Sequence, residues 1–364
     1  ARCRAMKSHY QIAVIGAGPA GMAAATVAAE HGASVLLLDE QAKAGGQIYR
    51  AVAEQKINDQ NILGDDYYKG RSLVSELAAS DVEHVGGATV WQVSPERQIG
   101  VSKDGVAQQL TADRVIIATG AQERPFPIPG WTLPGVVNAG GAQVLLKSSG
   151  IAVPDAVFAG TGPLLYLVAY QYMKAGIPVR AILDTAPKTN TLAALPHLPA
   201  ALVNIGALMK GRRWIASLKA SGIPIIKGIT NLRLLGDDAV SGVEYRRRGS
   251  WQRIDTAHVF LHQGVVPNTN LAMAAGCAHR WSEAQLCWHA VTDAWADSNV
   301  AGLAIAGDGV GIGGARASEY SGRIAGLSAL HQCGQLDIAE RDRLAQPFHR
   351  ALTSEMRMRP FLDA

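Results

Sequence analysis

The chain has 364 residues, enough for about two domains at roughly 150 residues each. Charge is nearly balanced, 34 Lys+Arg against 30 Asp+Glu, and charged residues make up only 18% against 48% apolar ones. That composition excludes a disordered or nucleic-acid-coating chain, and four cysteines in so long a sequence exclude a disulfide scaffold. No apolar run reaches the roughly 18 uncharged residues of a membrane span. Residues 1–10 carry basic side chains without the long apolar core of a signal peptide, so a soluble cytoplasmic protein is expected. Glycine is the outlier: 39 of 364 residues, where about 7% is usual.

The glycines cluster. Ile12-Ala13-Val14-Ile15 suits a buried parallel strand, and Gly16-Ala17-Gly18-Pro19-Ala20-Gly21 follows at once. A small-residue helix over 22–31 and a strand over 34–38 complete a βαβ unit that Asp39 closes. In this context Gly16 permits a tight turn, Gly18 lets the backbone approach a pyrophosphate, and Gly21 lets helix and strand pack closely. The helix N-terminus supplies positive dipole, and Asp39 an acceptor for a ribose hydroxyl. A second glycine pair, Gly45-Gly46 before Gln47, passes close to the same ligand or forms an ordinary loop.

Residues 85–120 read as a β-meander, with runs around Thr89–Val93, Ile99–Val101 and Gln108–Leu110, followed by a buried strand, Val115-Ile116-Ile117-Ala118-Thr119-Gly120. Pro125, Pro127, Pro129 and Pro134 then break regular structure at a crossover. A second βαβ unit starts at Asp155: strand 156–159, the turn Gly160-Thr161-Gly162-Pro163-Leu164-Leu165, a helix to Ala175 and a strand ending at Asp184. Leu165 replaces the third glycine, so this unit either binds a nucleotide or is a degenerate scaffold. Asp184 favours a free ribose 2′-OH over a 2′-phosphate. A last cluster, Gly307-Asp308-Gly309-Val310-Gly311-Ile312-Gly313-Gly314, lies between a strand over 303–306 and a helix over about 315–330. Asp308 there either accepts from a polyol hydroxyl or caps the helix.

The fingerprint, Ala118-Thr119-Gly120 and Gly307-Asp308, in that order, resemble the two-dinucleotide-binding-domain flavoproteins. Gly264-Val265-Val266-Pro267-Asn268 matches them too. The resemblance implies an α/β fold of two Rossmann-like, glutathione-reductase-type domains, the FAD domain being split by an inserted NAD-type domain, with a β-meander crossover. The expected parts are 1–122 and 256–332 for FAD, 123–255 for the insertion and 333–364 for a C-terminal helical extension. It further implies that Gly16, Gly18, Pro19, Ala20, Gly21, Asp39, Glu40, Gly46, Gln47, Ala118, Thr119, Gly120, Gly307 and Asp308 bind FAD. Gly160, Gly162 and Asp184 would bind ATP or another adenine nucleotide.

Asp39-Glu40-Gln41 through Gly45-Gly46-Gln47-Ile48-Tyr49-Arg50, Gly120-Ala121-Gln122-Glu123-Arg124-Pro125 and Gly309 through Ser318-Glu319 narrow the likeness. They are similar to the FAD-carrying alpha subunits of amino-acid and opine dehydrogenases: opine oxidases, dye-linked L-proline and D-hydroxyproline dehydrogenases, and hydrogen cyanide synthase. Heterotetrameric sarcosine oxidase is a more distant relative. In this group an FAD-containing beta subunit oxidises the amine, and the alpha subunit relays electrons. The resemblance implies that beta partner, a small [2Fe–2S] subunit, and FMN within the full complex. It places the chain in the cytoplasm, or peripherally at the inner membrane face through that complex. Many relatives continue into a four-cysteine [2Fe–2S] domain near where this sequence stops.

Other chemistry is missing. Cys3, Cys277, Cys287 and Cys333 form no C-x-x-C, against a redox disulfide beside the flavin. His258 and His262 sit in a strand-like run and read as surface or core histidines, so no metal is expected. Arg246-Arg247-Arg248 reads as a solvated hairpin, and Lys210, Arg212 and Arg213 as a phosphate contact or a solvated helix face. No general acid or base stands out, so catalysis falls to the cofactor. A self-contained NADH-dependent flavin reductase is the alternative reading, and a nucleotide-stabilised assembly scaffold a third.

Overall fold

The computed structural model describes residues 6–364 except 56, 58 and 202–204. It forms two compact units. The first comprises Ala1–Ala53, Asp66–Gln122 and Val266–Met356, the second Glu54–Asp65, Glu123–Val265 and Arg357–Ala364.

The first unit is built on a seven-stranded sheet. His9–Ile15 lies between Val35–Asp39 and the end of Val106–Ile117, parallel to both, and Leu303–Ile305 runs parallel along the far side of Val106–Ile117. These strands are near-continuous apolar runs because both of their faces are covered: Pro19–Glu30 packs on one, and on the other Ala13, Ile15, Leu36 and Leu38 share a core with Val93, Ile99 and Val101. The meander Ala88–Val93, Gln98–Lys103 and Val106–Ile117 is antiparallel. Its last strand is 12 residues long and joins the expected run 108–110 to the start of the run 115–120, whose Ala118-Thr119-Gly120 lies just past the strand's end. The first half of that strand pairs antiparallel with Gln98–Lys103; its second half enters the parallel sheet. The meander therefore extends the first sheet. Pro19–Glu30 packs against the 18-residue helix Ala315–Gln332, which packs in turn on Ile338–Met356. Gly322 and Gly326 permit the first contact: a Cβ at Gly322 would lie 2.1 Å from the Ala20 carbonyl oxygen.

The second unit has a five-stranded sheet in the order Ile225–Lys227, Val179–Asp184, Ala156–Thr161, Val259–Gln263, Val136–Asn138, every pairing parallel. Val259–Gln263, expected at the start of the returning FAD part, is instead the fourth strand of this sheet, and the chain re-enters the first unit at Val266. A three-stranded antiparallel sheet, Ile229–Leu235, Gly242–Arg247 and Ser250–Asp255, completes the unit. Arg248 and Gly249, both at positive φ, make the hairpin turn read from the arginine run.

Candidate functional site

The first glycine turn closes on itself. Gly16 has φ +104°, and a Cβ there would lie 2.4 Å from the Ala118 carbonyl oxygen. A Cβ at Gly21 would lie 1.7 Å from the Gly16 carbonyl oxygen, so helix and turn touch only because Gly21 has no side chain. Gly18 differs. Its φ is −76°, open to any residue, and an added Cβ would meet only the Gly46 Cα, at 3.9 Å. Gly46, at φ +59°, brings its loop against Gly18; its Gly45 neighbour donates its N–H to the Ala17 carbonyl at 2.8 Å. The helix Pro19–Glu30 opens with no side-chain cap and no acidic residue in its first turn. The N–H groups of Ala20 and Gly21 thus face a favourable place for an anion.

Around this turn the predicted residues come together. Asp39 Oδ2 accepts from the Ala17 N–H at 2.5 Å and Oδ1 from the Gln41 N–H at 2.7 Å, leaving acceptor capacity on a partly exposed carboxylate. Glu40 and Gln47 are exposed beside it. Thr119 Oγ1 donates to the Asn268 carbonyl at 3.1 Å, and the Asn268 N–H donates to the Gly120 carbonyl at 2.9 Å, tying the Ala118-Thr119-Gly120 strand end to the Pro267-Asn268 segment. Gly307, at φ +75°, packs its Cα against Ala20 and Ser318. Asp308 Oδ1 accepts from the N–H of Gly313 at 2.9 Å, the N–H of Gly314 at 3.1 Å and Ser318 Oγ at 3.3 Å. Gly314 is the N-cap residue, so Asp308 caps the helix from the preceding turn with one oxygen. Its Oδ2 accepts no hydrogen bond among the described residues.

Two further residues here escaped sequence reasoning. His84 Nε2 is buried without a partner among the described residues, and burial lowers its basicity against the opposing pull of Asp39. Tyr49, in the loop after Gly46, is pushed up to about 12 by burial and by Glu319, so its phenol is a neutral donor. The three described cysteines, Cys277, Cys287 and Cys333, are free, and Cys3 lies outside the described residues.

The second turn is built differently. A Cβ at Gly160 would lie 1.7 Å from the His262 carbonyl oxygen, because the neighbouring strand runs against it. Gly162 has φ +101°, where Gly18 has φ −76°. Leu165 is fully buried, and Tyr166 donates its hydroxyl to Asp184 Oδ2 at 2.6 Å. Burial and Asp184 raise the Tyr166 pKa, so it stays a donor. Lys227 Nζ lies 3.2 Å from the same oxygen, and the Ala186 N–H donates to Oδ1 at 2.9 Å. Asp184 is only 5% exposed. His262 is buried, its Nδ1 hydrogen-bonded to Glu123, whose other oxygen accepts from the Gly140 N–H at 2.9 Å. The far edge of the His262 ring borders Gly162. In the sequence Glu123 is legible only as a motif residue and His262 only as a surface or core histidine.

Known proteins resemble this chain in sequence and in fold. The family pattern of the pyridine nucleotide-disulphide oxidoreductases matches residues 10–323. The chain is 40% identical to an opine oxidase subunit from Rhizobium meliloti, over 99% of its own length and 70% of that protein's. It is 32% identical to hydrogen cyanide synthase subunit HcnB of Pseudomonas protegens, over 96% and 76%. Among solved structures, L-proline dehydrogenase from P. horikoshii superposes with a TM-score of 0.69 at 18% identity, covering 95% of this chain and 58% of that one. That last likeness speaks to the fold. The glycine turns, the two-unit α/β fold and these matches agree: the chain belongs to the pyridine nucleotide-disulphide oxidoreductase family of flavoproteins, within the group of the opine oxidase subunit and its relatives.

Proposed function

We propose that this chain is the FAD-binding electron-transfer component of a hetero-oligomeric dehydrogenase that oxidises a secondary amine, amino acid or opine on a partner subunit. The observation that carries the reading is Gly18: its backbone angles and surroundings leave room for a side chain, yet it stands at an uncapped helix N-terminus. A ligand backbone approach accounts for that glycine; internal packing does not.

The residues fit FAD. Gly16, Gly18, Pro19, Ala20, Gly21 and Gly46 would line the pyrophosphate, with the Ala20 and Gly21 N–H groups as donors. Asp39 would accept from the adenosine ribose, with Glu40 and Gln47 at the rim. Ala118, Thr119, Gly120, Gly307 and Asp308 would border the ribityl chain, where Asp308 Oδ2 is the acceptor left over from helix capping. Bound there, FAD supplies acceptance of two electrons and their release one at a time. The chain's own part is to orient it and to exclude water through the buried strands beneath.

Several features support the relay over a disulfide reductase. The sequence has no C-x-x-C, and the three described cysteines are free. Relatives from opine oxidase and sarcosine oxidase bear the names of subunits. The partner would be an FAD-containing beta subunit, and the complex would include a [2Fe–2S] centre and FMN. Gly160 and Gly162 would take ATP or another adenine nucleotide in the second unit.

Co-purification with native partners, followed by cofactor extraction and anaerobic mixing, tests this. The expected result is one FAD per chain, no bleaching by NADH on the isolated chain, and bleaching by an amine substrate in the complex. Rapid bleaching of the isolated chain by NADH would instead establish a self-contained reductase.

A further inference from the structure

Two buried polar side chains flank the second glycine turn. Gly160 pairs with Asp184 on one side and with His262 on the other. Asp184 is engaged by Tyr166, Lys227 and the Ala186 N–H. His262 is only half engaged. It is 3% exposed, its Nδ1 bonds Glu123, and its Nε2 has no hydrogen-bond partner among the described residues. That nitrogen faces the turn: a Cβ on Gly162 would meet Nε2 at 3.5 Å and Cδ2 at 3.6 Å. A polar atom in so buried a ring is costly to leave unmet. The turn itself favours an anion. Gly162 opens the 12-residue helix Pro163–Lys174, which has no side-chain cap and no acidic residue in its first turn.

We infer that the Glu123–His262 pair makes phosphate binding at this turn proton-linked: the phosphate enters as His262 Nε2 gains a proton, and Glu123 balances the added charge. The inference rests on reading Gly160 and Gly162 as an adenine-nucleotide site. Glu123 Oε2 accepts from the Gly140 N–H at 2.9 Å, in the first turn of the helix Ala139–Ser149, and Oε1 accepts from His262. A helix N-terminus favours the ionised carboxylate. That anion holds a hydrogen on Nδ1, so Nε2 of the neutral ring is a lone pair turned toward Gly162. A phosphate repels the lone pair but accepts a charge-assisted hydrogen bond from the protonated ring. Few other groups bear on this ring. The strands beside it, Ala156–Thr161 and Val136–Asn138, carry no titratable side chain. Ala139–Ser149 carries only Lys147, whose ammonium donates to Gln143 Oε1 at 2.8 Å. Pro163–Lys174 brings Tyr166, committed to Asp184, Tyr172, kept neutral by burial, and Tyr170 with Lys174 toward its C-terminal end. The bound state favours the protonated ring, so affinity is greatest at low pH and is lost as pH rises.

Calorimetric titration of the full, flavin-loaded chain with ATP tests the inference. At pH 7.5, in buffers of unlike ionisation heat, binding should take up a measurable fraction of a proton per site. A nucleotide phosphate placed beside a cation releases protons, so uptake identifies a group of the protein. His262→Gln should abolish the uptake and weaken binding at pH 6.5 by about tenfold or more. It should also remove the fall in affinity between pH 6.5 and pH 8.5. Glu123→Gln should keep that fall but move it to lower pH, because the protonated ring loses its counter-charge; a merely structural role would not move the profile. If His262→Gln fails to fold, proton uptake by the wild type still carries the test. ATP binding by the wild type without proton uptake would overturn the inference and leave the nucleotide reading standing. So would a pH profile that His262→Gln shares. Absence of ATP binding at any pH would overturn the nucleotide reading, and the inference with it.

Discussion

The two glycine turns share a spacing and differ in construction. In the first, a Cβ at Gly21 would sit 1.7 Å from the Gly16 carbonyl oxygen; in the second, the corresponding Leu165 is buried without conflict. The second turn achieves this by setting Gly162 at φ +101°, where Gly18 is at −76°, so the helix is entered along another path. The acids diverge too. Asp39 is held by backbone N–H groups and stays partly exposed, whereas Asp184 is 5% exposed and takes the Tyr166 hydroxyl and the Lys227 ammonium. Tyr166 stands where the first turn has Met22, which has no polar group to offer. A strand-end acid thus reads outward in one unit and is engaged with its own domain in the other. Spacing alone marks where a nucleotide fold begins; the packing around it decides which polar groups remain for a ligand.

Exchanging the two solutions should break each turn. Gly21→Leu has no room and should eliminate flavin retention and most folded yield, read as flavin absorbance per protein. Stoichiometric flavin in that variant would refute the packing difference. Leu165→Ala should instead cost about 2–4 kcal/mol by leaving a cavity, measured as a lowered denaturant midpoint. Because Leu165 belongs to the second unit, its flavin content should hold. Asp308→Ala should cost about 1–2 kcal/mol through the lost helix cap and should weaken FAD retention as well. A loss of stability with unchanged flavin content would leave Asp308 a cap only. The smallest effect is expected from Tyr166→Phe, about 1 kcal/mol, because Lys227 still neutralises Asp184.

Much of this was legible. Both βαβ units follow from apolar strands, glycine turns and strand-end acids, and the meander from alternation in 85–110. What escaped detection is long-range. Val106–Ile117 changes partners midway, so its two halves look like separate strands. Val259–Gln263 belongs to the inserted sheet because it is drawn against Gly160, a contact that local sequence does not encode. Glu123 and His262 are 139 residues apart and meet only through that same sheet. Tyr166 belongs to no motif; its hydroxyl matters because Asp184 lies at the end of the adjacent strand. His84 and Tyr49 gain their altered acidities from burial, which no motif announces.

The central claim is that the first turn is shaped for a bound cofactor, and Gly18→Ala tests it most directly. Gly18 has an ordinary φ, and the nearest atom to an added Cβ is 3.9 Å away, so the flavin-free protein should melt as the wild type does. Its FAD affinity, measured by titration, should fall about tenfold or more, a loss of about 1.4 kcal/mol at the pyrophosphate. Unchanged FAD affinity with unchanged melting would contradict the account.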